Sequence, residues 1–142
     1  KTRVDKAREE DAQFLVGFAT LRREVVRPVF EEAGALLAAR GHRFSIAEQE
    51  FAADPAGKVT EASISLHVVP AGMGSPAKVE SHAWTLSVTT RHYNKTVWFD
   101  AGAAMNVGGI AGSKSAYTLQ RVDTRLVEEE VVKFITGVVA SA

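Results

Sequence analysis

Cysteine is absent from this sequence, which excludes disulfide bonds, thiolate nucleophiles and thiolate metal sites. We therefore expect a protein of a reducing compartment, the cytoplasm, that folds on its hydrophobic core alone. No apolar run reaches the roughly 20 residues that a membrane-spanning helix requires, so we expect no membrane partner. Lysine plus arginine and aspartate plus glutamate number 17 each. Because no net charge would attract nucleic acid, we expect no nucleic-acid partner either.

Proline is scarce as well, with four residues in the chain, of which only Pro28 lies in the first 40 positions. Apolar residues recur there every three or four positions, which predicts one long amphipathic helix over residues 2–40. Pro28 lacks a backbone donor and crowds the carbonyl four residues earlier, so we expect a kink or a break near residues 24–27. Two separate helices are the alternative. Gly41 is the predicted helix terminator in a left-handed conformation.

After this helix the apolar period changes from three or four residues to two, which predicts an antiparallel sheet. The predicted strands cover residues 42–53, 59–69, 79–90, about 96–101 and 116–120, with a bulge at Phe51 and a turn at residues 54–57. A two-residue turn at Asn94-Lys95 would pair the strand residues as His92–Val97, Thr90–Phe99 and Val88–Ala101. This register leaves Trp98 on the polar face of the sheet, beside Arg91.

The last segment predicts a second helix. Asp123 is a suitable N-cap, and apolar residues follow it at helical spacing: Val127, Val131, Phe134, Ile135 and Val138. The complete pattern predicts one α+β domain over residues 1–142, with a long N-terminal helix, a four- to five-stranded, mainly antiparallel meander sheet, and a C-terminal helix on the same sheet face.

Candidate chemical motifs are weak. The glycine-rich segment at residues 108–115 resembles a phosphate-binding loop, but an extra serine separates Gly112 from Lys114, and a strand is predicted where that mechanism needs a helix. The four histidines lie on different predicted faces, so a shared metal is not expected. No catalytic residue, cofactor or metal site is therefore predicted.

Two features favour association. Trp98 lies on an otherwise polar sheet face. The first helix is longer than the sheet, so its overhanging end with Phe14 and Phe18 needs a partner, which is either another copy of the chain or the closing helix. We expect a non-enzymatic interaction or regulatory module, a homodimer or a partner of another protein, with Phe14, Phe18, Trp98 and Arg91 at the interface. The alternative is a small-molecule-binding or enzymatic domain whose pocket between sheet and helices is lined by His82, Trp84, His92 and Tyr117.

Overall fold

A helical N-terminal segment, an antiparallel sheet and a C-terminal helix follow one another in the computed structural model, which describes residues 3–69, 84–103 and 113–141. The helical elements are α1 (Arg3–Leu21), a π-helical segment (Arg22–Val26), α2 (Arg27–Ala39), a short 3-10 helix (Leu119–Arg121) and α3 (Thr124–Ser141). The strands are β1 (Arg43–Gln49), β2 (Ala52–Ala53), β3 (Val59–Thr60), β4 (Ser63–Val69), β5 (Trp84–Arg91), β6 (Thr96–Ala103) and β7 (Ser113–Tyr117). This architecture confirms the predicted α+β fold.

The N-terminal helix is interrupted by a π-helical segment immediately before Pro28, in the region where the sequence predicts a kink or break. The buried positions of this helix explain the interruption. One row of them recurs every four residues, at Phe14, Phe18, Arg22, Val26, Phe30 and Gly34, and in α2 a second row at Val29, Ala33 and Leu37 lies beside it. In a helix of 3.6 residues per turn, residues four positions apart are separated by 40° more than a full turn, so the row of buried residues moves around the helix by about 40° per step. A π turn closes over one residue more, so it returns the drifting stripe to the core.

The helix ends at Gly41 as predicted, in a left-handed conformation with a φ of 90°. The backbone N–H of His42 donates to the carbonyl of Leu37 at 3.1 Å, and that of Gly41 donates to Ala38 at 3.0 Å. These two bonds form a Schellman motif, which satisfies carbonyls that the last helical turn leaves without partners.

The main sheet has five antiparallel strands in the order β1-β4-β5-β6-β7. Alternate residues of β4 and β5 are fully buried, whereas the residues between them are half-buried. The buried set packs with the helices in one core and defines the inner face of the sheet. Its members on these two strands are Ile64, Leu66, Val68, Trp84, Leu86 and Val88. We call the opposite side the outer face.

The predicted strand over residues 42–53 is divided in the structure. Strand β1 ends at Gln49, and the next residues turn away to form β2, which pairs with β3 in a separate two-stranded ribbon. The predicted turn at residues 54–57 connects β2 and β3, with Gly57 at a φ of 90° and the carboxylate of Asp54 accepting from the N–H of Lys58 at 2.8 Å. A separate ribbon therefore replaces the expected bulge at Phe51.

The predicted register of the β5–β6 hairpin is wrong by two residues. Val88 pairs with Phe99 and Thr90 with Val97, because the connection has four residues, 92–95, and not two. Lys95 ends it at a φ of 57°. The side chain of Asn94 contributes by accepting from the Thr96 hydroxyl at 2.6 Å. A shift of two residues preserves the faces, so the predicted burial of Val97 and Phe99 is correct.

The C-terminal part confirms the predicted helix and alters the strand before it. Strand β7 ends at Tyr117, and Leu119 belongs to the 3-10 helix and not to the strand. Asp123 caps α3, since its carboxylate accepts from the N–H of Leu126 at 2.8 Å. Val127, Val131 and Phe134 are buried against the inner face, while the side chain of Val138 lies outside the described residues. None of the helices in the described part of the chain is long and apolar enough to cross a membrane.

Candidate functional site

The outer face of the sheet carries the predicted pair of Trp98 and Arg91. The guanidinium carbon of Arg91 lies 4.0 Å from the centroid of the Trp98 ring, which is the geometry of a cation–π contact. The indole N–H donates to the Thr96 hydroxyl at 3.0 Å. Both side chains are half-buried although the helices cover the other side of the sheet. The sequence prediction of an aromatic–arginine pair on the polar face is therefore correct in geometry.

The central part of the outer face is built mainly from short polar side chains, while the register places Arg43 on β1 and Lys114 on β7 at outer-face positions nearer the edges. On the two central strands its polar residues are Ser63, Ser65, His67, Thr85, Ser87 and Thr89, and the end of β4 adds the buried Val69. Their polar atoms bond to one another, as Ser65 Oγ does to Ser87 Oγ at 3.0 Å and His67 Nδ1 to Thr85 Oγ1 at 3.1 Å. Because these groups already bond to one another within the sheet, a partner that covers them would break few hydrogen bonds to water.

Phe14 and Phe18 are not available for the predicted interface. Their side chains are 5% and 0% exposed within the single chain. The prediction that both lie on an overhanging helix end is wrong, because α1 packs against the 3-10 helix. The two elements are so close that a Cβ at Gly17 would meet the side chain of Leu119. The Nζ of Lys95 also bonds to Asp11 Oδ1 at 2.9 Å, which fixes α1 to the β5–β6 connection.

The three described residues of the alternative pocket, Trp84, His92 and Tyr117, do not form one site. Trp84 is 3% exposed and belongs to the core at one end of β5, whereas His92 follows the other end of that strand. Tyr117 packs edge-to-face on Phe99 with ring centroids 5.7 Å apart. His82 lies outside the described residues. The three described members therefore occupy separate places along the sheet.

At that end of the sheet, His92 contacts the carboxylate of Glu61. Its Nδ1 lies 2.8 Å from Glu61 Oε2, and its backbone N–H donates to Glu61 Oε1 at 3.2 Å. The ring of Phe51 packs edge-on against the imidazole at 5.0 Å. The buried Thr90 hydroxyl completes the group, donating to Ala62 O at 2.9 Å. These contacts join β4 and the ribbon to the β5–β6 connection, which is a structural role.

Arg22 is a buried cation that the sequence analysis did not single out. It is 7% exposed, and its guanidinium donates to both carboxylate oxygens of Glu50 at 2.6 and 2.9 Å. It also donates to the backbone carbonyls of Gln49 and Ser63. The sequence signal for its burial is its position in the row of residues, four positions apart, that the first helix buries. Because its donors are directed at protein acceptors, Arg22 fastens the π-helical segment to the end of β1.

Glu48 extends this cluster to a second arginine. Its carboxylate lies 3.3 Å from the Nε of Arg22 and 2.6 Å from the NH1 of Arg27. The hydrogen bond to Glu48 raises the pKa of Arg27 above its ordinary value, and Glu31 adds to the effect. Arg27 therefore remains cationic, and the cluster is a network of ion pairs that joins α2 and the π-helical segment to β1.

A cavity of about 120 Å³ lies between the inner face and α3. Glu130 lines it and is only 7% exposed. The sequence carries a signal for its burial too, since position 130 is three residues after Val127 and four before Phe134, on the apolar face of α3. Sequence reasoning did not distinguish it from Glu128 and Glu129 at the acidic start of the helix.

The remaining motifs provide no site. The glycine-rich positions 108–112 lie outside the described residues, and the segment after them is strand β7, so a helix N-terminus is missing where a phosphate-binding loop needs one. Within the described part of the chain, no group of three or more histidine, aspartate or glutamate side chains could hold a metal ion. Comparison with protein-family models, with curated proteins and with solved structures gives no match for this chain.

Proposed function

We propose that this chain is a non-enzymatic protein-interaction module that forms a homodimer through the outer face of its sheet. The observation that carries the proposal is the Trp98–Arg91 pair on a sheet face that the described helices leave uncovered. Tryptophan and arginine are the residue types most enriched among those that dominate binding energy at protein interfaces. An indole on a polar face gains most when a partner removes it from water.

The dimensions of the outer face support a specific interface. Five strands about 4.8 Å apart, with a rise of about 3.4 Å per residue, give a face of about 20 by 25 Å. This projected area of about 500 Å² does not include the additional surface of side chains that protrude from the sheet. With that surface added, the face approaches the roughly 600 Å² per partner at which specific interfaces begin. The short serine and threonine side chains allow a second sheet to approach closely.

A second copy of the chain is the partner that the charges favour. The strand register places Arg91 on β5 and Asp100 on β6 at outer-face positions, with Arg43 on β1 and Lys114 on β7 nearer the edges. In a two-fold dimer each surface meets itself, so a face with both signs can set opposite charges against each other. The equal numbers of acidic and basic residues also remove any net repulsion between copies.

The solution mass, measured by light scattering over a concentration series, tests this proposal on the wild type, Trp98→Ala and Leu36→Ala. We expect a wild-type dimer and a rise in the dissociation constant of at least about 30-fold for Trp98→Ala, as for an interface residue worth about 2 kcal/mol. Leu36, which is 65% exposed on α2 and away from the outer face, supplies the matched control and should leave the dimer intact.

A second variant tests the face independently of the indole. Ser65→Lys places a cation near the centre of the outer face, where burying it without a partner is costly, so it should also give a monomer. Circular dichroism verifies that both variants remain folded. A wild-type protein that stays monomeric at about 0.1 mM, or a Trp98→Ala variant as dimeric as Leu36→Ala, contradicts the proposal.

A further inference from the structure

The cavity beneath α3 combines an apolar wall with one buried carboxylate. Leu86, Phe99 and Ala101 of the sheet form one side, and Phe134 and Gly137 of α3 form the other. Glu130 projects from the same helix and lines the cavity, and its side chain is 8% exposed. A carboxylate at such a depth is costly unless a cation or good donors compensate it.

The contacts of Glu130 to described residues compensate it only in part. The Tyr117 hydroxyl donates to Oε1 at 3.4 Å, well beyond the 2.7–2.8 Å that is typical of O–H···O bonds. The Nζ of Lys133 lies 3.6 Å from the same oxygen, outside hydrogen-bond distance, and that lysine side chain is 72% exposed. Both contacts are long, so a cation that enters the cavity can approach the carboxylate more closely than Lys133 does.

We propose that this cavity binds an alkylammonium group, with the ammonium on the Glu130 carboxylate and the hydrocarbon chain against Leu86, Phe99 and Phe134. The size agrees, since an apolar cavity of about 150 Å³ holds benzene, which has six heavy atoms. A cavity of about 120 Å³ therefore suits n-butylammonium, with five. The aromatic rings add a favourable environment for a cation or for the methylene groups beside it. This inference is independent of the proposed dimer, whose interface is on the other side of the sheet.

Lys133 is the internal competitor for this site. It lines the cavity and its ammonium is the nearest cation to Glu130 among the described residues, yet it lies three residues along the same helix and reaches the carboxylate only loosely. A ligand ammonium that enters the cavity displaces it towards solvent, where most of the lysine side chain already lies. Removing the charge of Lys133 should therefore strengthen ligand binding.

The ligand ammonium could belong to a free small amine or to a lysine side chain of another protein, because n-butylammonium is the side chain of lysine without its backbone. Two probes distinguish these sources: n-butylammonium chloride, and lysine with its backbone blocked as the N-acetyl methylamide. Binding of both supports a lysine side chain as the natural occupant. Binding of n-butylammonium alone supports a free amine, since the mouth then excludes the backbone.

Titration followed by amide chemical shifts in ¹⁵N-labelled protein tests the proposal, with 1-butanol as the neutral probe of equal size. We expect saturable shifts confined to α3, β5 and β6, with a dissociation constant in the millimolar range and binding of 1-butanol at least about tenfold weaker. Glu130→Gln, which keeps the shape, should weaken n-butylammonium binding about tenfold and leave 1-butanol unchanged. Lys133→Met should tighten n-butylammonium binding several-fold.

Three results would overturn the inference: equal binding of n-butylammonium and 1-butanol, equal affinity of wild type and Glu130→Gln for n-butylammonium, or no saturable shift with either amine. Lys133→Met protects the test from a folding artefact, because its side chain is exposed and its expected effect is a gain of affinity. An oligomeric state measured alongside keeps this outcome separate from that of the proposed dimer.

Discussion

Several polar side chains in this protein join separate segments of the chain, and Arg22 is the clearest case. Its guanidinium joins the π-helical segment, two backbone carbonyls and the carboxylates at the end of β1. A planar group with five donors can reach acceptors in several directions at once, which a lysine ammonium cannot do from the same position. Burial and satisfied bonding together indicate a structural role for this cation.

We expect Arg22→Met to lower the free energy of unfolding by about 2 kcal/mol, since buried carbonyls lose their donors while the exposed Glu50 returns to water. Arg22→Lys should recover less than half of that loss because one ammonium cannot span the same acceptors. Urea denaturation followed by circular dichroism measures both. A loss below about 0.5 kcal/mol for Arg22→Met would show that the guanidinium contributes little beyond its own desolvation cost.

Residue-scale prediction from the sequence succeeded where a local rule applied. Asp123 as a helix cap, Gly41 as a terminator and Trp98 beside Arg91 all follow from neighbours a few positions away. The pairs that could not be predicted join distant parts of the chain, as Glu61 and His92 do across 31 positions. Nothing in the sequence near either residue encodes that approach, because it depends on the register of three strands.

At the scale of elements, the interruption and the end of the first helical segment each have an identifiable physical cause. The four-residue recurrence of buried positions accounts for the π-helical segment, and the Schellman motif accounts for the end of α2. The sequence predicted a disturbance near Pro28 but not its form, since a kink, a break and a π turn all relieve the missing donor. The side-chain stripe, and not proline alone, selects among them.

Gly41→Ala should lower the free energy of unfolding by about 1 kcal/mol, because an L side chain is disfavoured at a φ of 90°. Gly41→Asn is the matched variant, and it should cost clearly less, since asparagine tolerates the left-handed conformation. Thermal unfolding of the two variants and the wild type gives the comparison. Equal losses for alanine and asparagine would mean that the added Cβ, and not the backbone conformation, is responsible.

The hairpin between β5 and β6 shows the limit of prediction for an element. The hydrophobic alternation assigned the correct face to the apolar residues that it placed in both strands, yet the register was wrong by two. Alternation has a period of two, so it cannot distinguish registers that differ by two residues. Only the conformation of the connection, with Lys95 at positive φ, makes that choice.

For the whole molecule, the main question is which apolar surface belongs to the core and which to an assembly. Phe18 is fully buried within one chain, whereas Trp98 is half-buried on the outer face. Phe18→Ala should therefore cost about 3–5 kcal/mol as a core truncation. It should leave intact any dependence of the unfolding midpoint on protein concentration, and Trp98→Ala should remove that dependence with little change in core stability.

Chemical denaturation at two protein concentrations tenfold apart checks this contrast. Should Phe18→Ala abolish the concentration dependence and Trp98→Ala preserve it, the helix and not the sheet would form the interface. The sequence could not make this distinction, because it predicted the length of the first helix correctly but not its packing on the 3-10 helix. Length alone suggested an overhang that reaches back to Phe18, and tertiary contacts with Leu119 and Lys95 removed it.

The position of α3 along the chain has a consequence for synthesis on the ribosome. The inner face of the sheet is complete once β7 has been made, but Val127, Val131 and Phe134 of α3 still have to cover part of it. At about 5–20 residues per second, the 18 residues of α3 follow over about 1–4 seconds. Until α3 docks, the part of the inner face that it covers stays exposed, although the helices made earlier pack on the rest. Substitutions that delay the docking of α3 should therefore lower the yield of native protein in the cell before they lower its measured stability.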